Sequence, residues 1–151
     1  MEGNTQSRFD GGKKVNGRKR HIVVDTLGLL PAVTVTAASV TDREAGQTLL
    51  VRLHERHWRI TRVWADGGYT GQLVDFARSV LRTALTVVKR GDDTTGFVVL
   101  PKRWLVERTF AWLMHSRRLA RGYETRTDSA AAMSLWSMSM VMSRRLARRR
   151  H

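Results

Sequence analysis

Two carboxylates stand where this chain could do chemistry. Asp66 closes the run Val63-Trp64-Ala65-Asp66-Gly67-Gly68-Tyr69. A carboxylate at the end of a strand, followed by glycines that let a ligand reach the backbone, sits where α/β sheets place reactive groups. The plainer reading is a turn or cap aspartate. Glu107 lies in Arg103-Trp104-Leu105-Val106-Glu107-Arg108-Thr109-Phe110-Ala111-Trp112. Helical spacing puts it on one face with Arg103 and Phe110, so it is expected beside bulky apolar groups. The plainer reading is an i, i+4 ion pair with Arg103. Together the two acids suggest a Mg²⁺ or Mn²⁺ site, because hard cations bind carboxylate oxygens and leave room for phosphate. Metal held this way activates water or a 3′-hydroxyl against a phosphodiester.

Other chemistries are poorly served. There is no cysteine, which excludes a disulfide framework, a zinc ribbon and a thiol nucleophile. His21, His54, His57, His115 and His151 show no ligand spacing and read as solvated helix-end residues. Gly67-Gly68 lacks the wider glycine pattern of a dinucleotide fingerprint. Trp58, Trp64, Trp104, Trp112 and Trp136 read as core before base-stacking platforms, and Met133, Met138, Met140 and Met142 as gap fillers in a last helix.

The charge points to a polyanionic partner. Lys plus Arg number 27 against 13 acids, a formal +14 over 151 residues. Such a surface attracts nucleic acid above all; an architectural protein without chemistry is the bland alternative. The cations expected to meet DNA are Lys13, Lys14, Arg18, Lys19 and Arg20 in a Gly-rich lead, with Arg103, Arg117 and Arg118 further on. The 42% hydrophobic content supports one domain over 1–151. The N-terminus lacks an apolar signal core, and the uncharged stretch from Ser129 to Ser143 is too short and too serine-rich to span a membrane.

These groups need elements to hold them. Residues 21–25 and 29–37 read as strands around the turn Thr26-Leu27-Gly28, an antiparallel hairpin. Thr41-Asp42-Arg43-Glu44 has the form of a capping box and opens a helix with Ala45, Leu49, Leu50 and Leu53 on its apolar stripe. A strand over 60–65 leads to Asp66. Leu73, Phe76, Ala77, Val80 and Leu81 mark a periodic helix, and 84–88 a further strand. A polar loop over 91–96 and a brief extended run over 97–100 follow. Residues 102–121 read as a long helix closed by Gly122. Asp128 reads as the N-cap of a last helix over 129–148, with an Arg-rich tail to 151. Strands separated by helices pair in parallel through right-handed crossovers. The expected class is α/β: a mixed sheet, antiparallel hairpin then parallel strands, flanked by helices.

Three motifs in order resemble insertion-sequence DDE transposases of the "five" group, within the IS-four/five-like superfamily. They are residues 10–28 (Asp10-Gly11-Gly12-Lys13-Lys14 through Leu27-Gly28), Trp64-Ala65-Asp66-Gly67-Gly68-Tyr69, and 103–113 around Glu107. The resemblance covers nearly the whole chain from Asp10. It implies an RNase H-like catalytic domain, Mg²⁺ (or Mn²⁺) dependence, and cleavage and strand transfer of DNA at terminal inverted repeats. Asp66 then matches the second acid of the triad, Glu107 the third, and Arg103 the arginine four residues before it.

The chain departs from the pattern at its front. The opening strand that carries the family's first acid is expected to be missing, with Asn4 in Asn4-Thr5-Gln6-Ser7 as its nearest echo. An amide binds a divalent cation far more weakly than a carboxylate. Asp10 and Asp25 are possible substitutes, and both read as structural. Leu100 stands where the family has a tyrosine. The end-binding region is expected to be missing too, and the expectation is a truncated or frame-split transposase, weak or inactive alone. Its partners are DNA and either a second copy or a front half from another frame, in the nucleoid-associated bacterial cytoplasm. The alternative is an inactive remnant that only binds DNA non-specifically.

Overall fold

The structure, a computed structural model, describes residues 9–10, 15–88, 102–116, 119 and 125–148. In chain order these form β1 (Phe9–Asp10), β2 (Val15–Asn16), β3 (Arg18–Val23), β4 (Ala32–Ala37), α1 (Asp42–Arg56), β5 (Arg62–Asp66), α2 (Gln72–Ser79), β6 (Ala84–Val88), α3 (Arg103–Met114) and α4 (Thr127–Arg148). The class is α/β as expected, with both an antiparallel and a parallel pair. One expectation is corrected: among the described residues the strands do not join into one mixed sheet. They make three separate pairs, β1–β2, β3–β4 and β5–β6.

The β3–β4 pair is antiparallel, from Arg18 opposite Ala37 to Val23 opposite Ala32. Strand β3 starts three residues earlier than the hydrophobic pattern suggests, because backbone pairing with β4 takes in Arg18, Lys19 and Arg20 whatever their charge. Its turn is built by Asp25, whose Oδ1 accepts from the backbone N–H of Leu27 and Leu29, both at 2.8 Å. Asp25 is thereby structural, as read.

Strand β4 is buried on both faces. Val33 and Val35 enter one core with Leu113 of α3, Leu119, and Ala130, Ala131 and Met138 of α4. Ala32 enters a second core with Leu49, Leu50 and Leu53 of α1, Leu73 and Ala77 of α2, and Leu85 of β6. The capping box at α1 is complete: Thr41 Oγ1 accepts from Glu44 N at 3.3 Å, and Glu44 Oε2 accepts from Thr41 N at 3.1 Å.

The β5–β6 pair is parallel, with Arg62 opposite Ala84 and Asp66 opposite Val88. Among the described residues, helices cover only one of its faces. Val63, Ala65 and Leu85 pack toward α1 and α2, while Arg62, Trp64 and Asp66 alternate onto an exposed face.

Other boundaries shift. Helix α3 stops at Met114, with a turn at 115–116, short of the expected 121; Gly122 lies outside the described residues. Helix α4 begins at Thr127, so Asp128 sits in its first turn instead of capping it, where a carboxylate still favours the helix dipole. The tryptophans correct the core reading: Trp58, Trp64, Trp104 and Trp136 are exposed. The two cores are built mainly from Leu, Val and Ala. Met138 is core and Met133 packs against it, but Met140 and Met142 are exposed. No described helix is long and apolar enough to cross a membrane.

Candidate functional site

The turn after β5 is organised by Asp66 itself. Its Oδ1 accepts from Gly68 N at 3.1 Å, and its carbonyl accepts from Tyr69 N at 3.2 Å. This leaves the carboxylate exposed at the strand's end. A second carboxylate arrives from α1. Asp42, in that helix's first turn, and Asp66 both face the empty side of Gly68: a Cβ there would lie 3.1 Å from Asp42 Oδ2 and 3.3 Å from Asp66 Oδ1. Lys19 of β3 reaches the same place, with Nζ 3.5 Å from Asp42 Oδ1.

Behind the carboxylates sits a polar pair, buried His21 and half-buried Tyr69. His21 bonds through Nδ1 to Tyr69 Oη at 2.8 Å and through Nε2 to Thr36 Oγ1 at 3.2 Å. Each hydroxyl can take the role the ring tautomer requires. Burial lowers the pKa of His21, helped by Lys19 and opposed by Asp42 and Asp66. Burial raises that of Tyr69, and the charges of Asp42 and Asp66 raise it further. His21 is thus a buried strand residue, correcting the solvated helix-end reading. The Tyr69 ring lies on Gly46 of α1, where a Cβ would come within 2.8 Å of Tyr69 Cδ1. Tyr69 therefore ties the Asp66 turn to α1 and β3 at once.

Glu107 is placed differently. It pairs with Arg103 Nε at 3.0 Å, and its side chain is 65% exposed. The expected apolar surroundings are not found. Thr109 and Leu113 face inward, and on a 100° wheel Glu107 lies nearly opposite Thr109. The start of α3 does approach β5: Lys102 Nζ sits 3.7 Å from the centroid of the Trp64 ring, two residues before Asp66. Helix α3 is held by Thr109, whose Oγ1 donates to Gly28 O at 2.9 Å. Among the described residues, no three His, Cys, Asp or Glu side chains gather as a metal-binding group.

Of the four expected DNA-contacting cations that lie among the described residues, Arg18, Lys19 and Arg103 are engaged within the protein. Arg18 Nη2 donates to Thr125 O at 2.7 Å, and Lys19 Nζ to Val40 O at 3.1 Å as well as facing Asp42. Arg20 is half-buried, and burial lowers its pKa. Arg103 serves Glu107. Lys13, Lys14, Arg117 and Arg118 lie outside the described residues, as does Asn4, and nothing is described of the Asp10 side chain. Asp42 is the residue that sequence reasoning missed. Its position in a capping box explained it fully, and no periodicity reveals which strand end a helix start will meet.

What the site can do follows from its donors. Two carboxylates flank a residue without a side chain, beside solvent, and suit a cation such as Mg²⁺, which takes one or two carboxylates and completes its shell with water and phosphate.

Comparison with known proteins agrees in kind. The family described as "Transposase DDE domain" matches residues 2–142. The chain is also similar, at 34% identity over 120 residues, to a Burkholderia cepacia protein named as a transposase for insertion sequence element IS402. That match covers 74% of this chain and 56% of the relative, so the chain spans just over half the relative's length. No solved structure matches the chain significantly.

Proposed function

The chain belongs to the transposase DDE domain family, and from that premise we propose that it is the catalytic domain of an insertion-sequence transposase, RNase H-like in arrangement. It cuts DNA phosphodiesters at the ends of a mobile element and joins them to a target, using Mg²⁺ or Mn²⁺. The observation that carries the reading is the pair of carboxylates, Asp66 and Asp42, converging on Gly68 at the end of β5. These two residues would hold the cation. When bound, it supplies water or 3′-hydroxyl activation and neutralises charge on the phosphate.

The chain's own residues do the positioning. Gly68 N fixes one oxygen of Asp66. Tyr69, anchored by His21, keeps the turn from drifting off α1. Lys19, 3.5 Å from Asp42 Oδ1, moderates the negative charge of that carboxylate. Glu107, the third acid by family likeness, is held by Arg103. The protein works in the bacterial cytoplasm on nucleoid DNA, as a homodimer bringing two element ends together.

A second reading is a domain that binds DNA without cutting it. It is favoured by one observation: Glu107 is committed to Arg103 in an exposed pair.

Manganese binding followed by electron paramagnetic resonance, beside nicking of a plasmid carrying element ends, separates the two. Manganese bound by the native chain and lost in Asp66→Asn and Asp42→Asn, with Asp66-dependent nicking, supports the first. Unchanged manganese binding in both variants removes it. DNA binding without nicking leaves the second.

A further inference from the structure

We propose that the exposed face of the β5–β6 pair is a platform for an unpaired DNA strand, leading it to Asp66, with Trp64 as its stacking surface. The proposal rests on the reading of the protein as a DNA-processing domain and names the path the substrate takes.

The face is defined by strand alternation. Arg62, Trp64 and Asp66 point to one side of β5, and Ala84 and Thr86, paired with Arg62 and Trp64, are exposed beside them. These neighbours are small, so the indole stands clear of the sheet, 42% exposed. Trp64, between an arginine and an acid on this face, belongs to neither of the two cores formed by the described residues. A cation lies on it instead: Lys102 Nζ is 3.7 Å from the ring centroid. Lys102 holds that position from a left-handed backbone, φ 66°, unusual for a residue other than glycine.

The chemistry fits a single strand. An aromatic ring on a sheet stacks bases of any sequence, and flanking cations follow the phosphates. An incoming base takes the ammonium's place on Trp64, and Lys102 moves to the adjacent phosphate. Arg62 meets the phosphate on the far side. From Arg62 to Asp66 the strand runs ~13 Å, the length of a few nucleotides, so a strand laid along β5 delivers a phosphodiester to the carboxylates. A duplex offers no free base face to the ring, so recognition is of unpaired DNA.

The test is anisotropy of a labelled twelve-residue oligothymidine and of a twelve-pair duplex, without divalent metal. Trp64→Ala is expected to weaken oligothymidine binding about fivefold or more and duplex binding by less than about twofold. Trp64→Phe, which keeps a stacking face, should retain most of the affinity even if the alanine variant folds poorly. Arg62→Ala should reduce the salt slope for the oligothymidine by about 0.7. Trp136→Ala, at a still more exposed indole on α4, 65% against 42% for Trp64, should change nothing. Oligothymidine affinity equal in Trp64→Ala and the native chain, or an equal loss on both DNA forms, overturns the platform alone. A native chain that binds neither form overturns the DNA-processing reading and the platform with it.

Discussion

At Gly68 the missing side chain leaves room for the proposed cation. A methyl there would stand 3.1 Å from one carboxylate oxygen and 3.3 Å from the other, in the space a cation would use. Gly68→Ala is therefore expected to weaken manganese affinity by about tenfold, in the range of other perturbations around metal ligands. Its effect on stability should be small, because the position is exposed. Titration calorimetry beside thermal melts separates the two effects, and an unchanged affinity would remove the shared-cation geometry. His21 makes a second claim at this scale. Burial holds its pKa below the ordinary 6.5, so as pH falls the unfolded chain takes up a proton that the folded chain refuses. Stability from this residue is full above about pH 6.5 and is lost as pH drops below it. The melting temperature of the native chain should fall more steeply from pH 7 to 5 than that of His21→Gln, which does not titrate. Parallel curves would show that the burial of His21 carries no pH dependence.

Two helices hold the site through close approaches that cannot be relaxed cheaply. Gly46 lies inside α1, where alanine ordinarily gains ~1 kcal/mol of helix propensity. Here its methyl would meet Tyr69 Cδ1 and Leu73 Cδ2, each at 2.8 Å. Overpacking of this kind costs about 1–3 kcal/mol, which outweighs the propensity. Gly46→Ala should lower the melting temperature by a few degrees; a more stable variant would mean that Tyr69 does not pack as described. Thr109 is the corresponding fixture of α3, fully buried and donating to Gly28 O. Thr109→Val keeps the shape and leaves that carbonyl unpaired, at a cost of about 1–3 kcal/mol. Thr109→Ser should recover most of the loss in denaturant unfolding, and no recovery would assign the effect to packing instead. Much of this scale could be read in advance. The capping box at Thr41, the stripe Leu49–Leu50–Leu53 and the strand over 84–88 follow from local chemistry and period. The end of α3 and the start of β3 did not, since pairing partners and packing set them.

For the whole molecule, a charge of +14 makes DNA affinity a matter of counterion release. Binding to random-sequence duplex should fall steeply and linearly on logarithmic axes between 50 and 200 mM salt. Filter binding that hardly responds to salt would leave the charge without its assigned role. Two of the expected cations also serve the fold, Arg18 donating to Thr125 O and Lys19 to Val40 O while facing Asp42. The two-layer side of the fold, where β5 and β6 have helices on one face only, leaves the other face open beside Asp66.

Residue type and local period determined the α/β class and the place of Asp66 at a strand's end, as short-range consequences of neighbouring residues, and the order of elements gave the parallel relation of β5 and β6 through the crossover rule. Tertiary structure alone decided that Asp42 joins Asp66, that His21 is buried behind them, that Glu107 faces solvent, and that four tryptophans lie outside the core. These are facts of which surface meets which. They depend on contacts between residues dozens of positions apart, such as the 48 between His21 and Tyr69, and no window along the chain contains both partners.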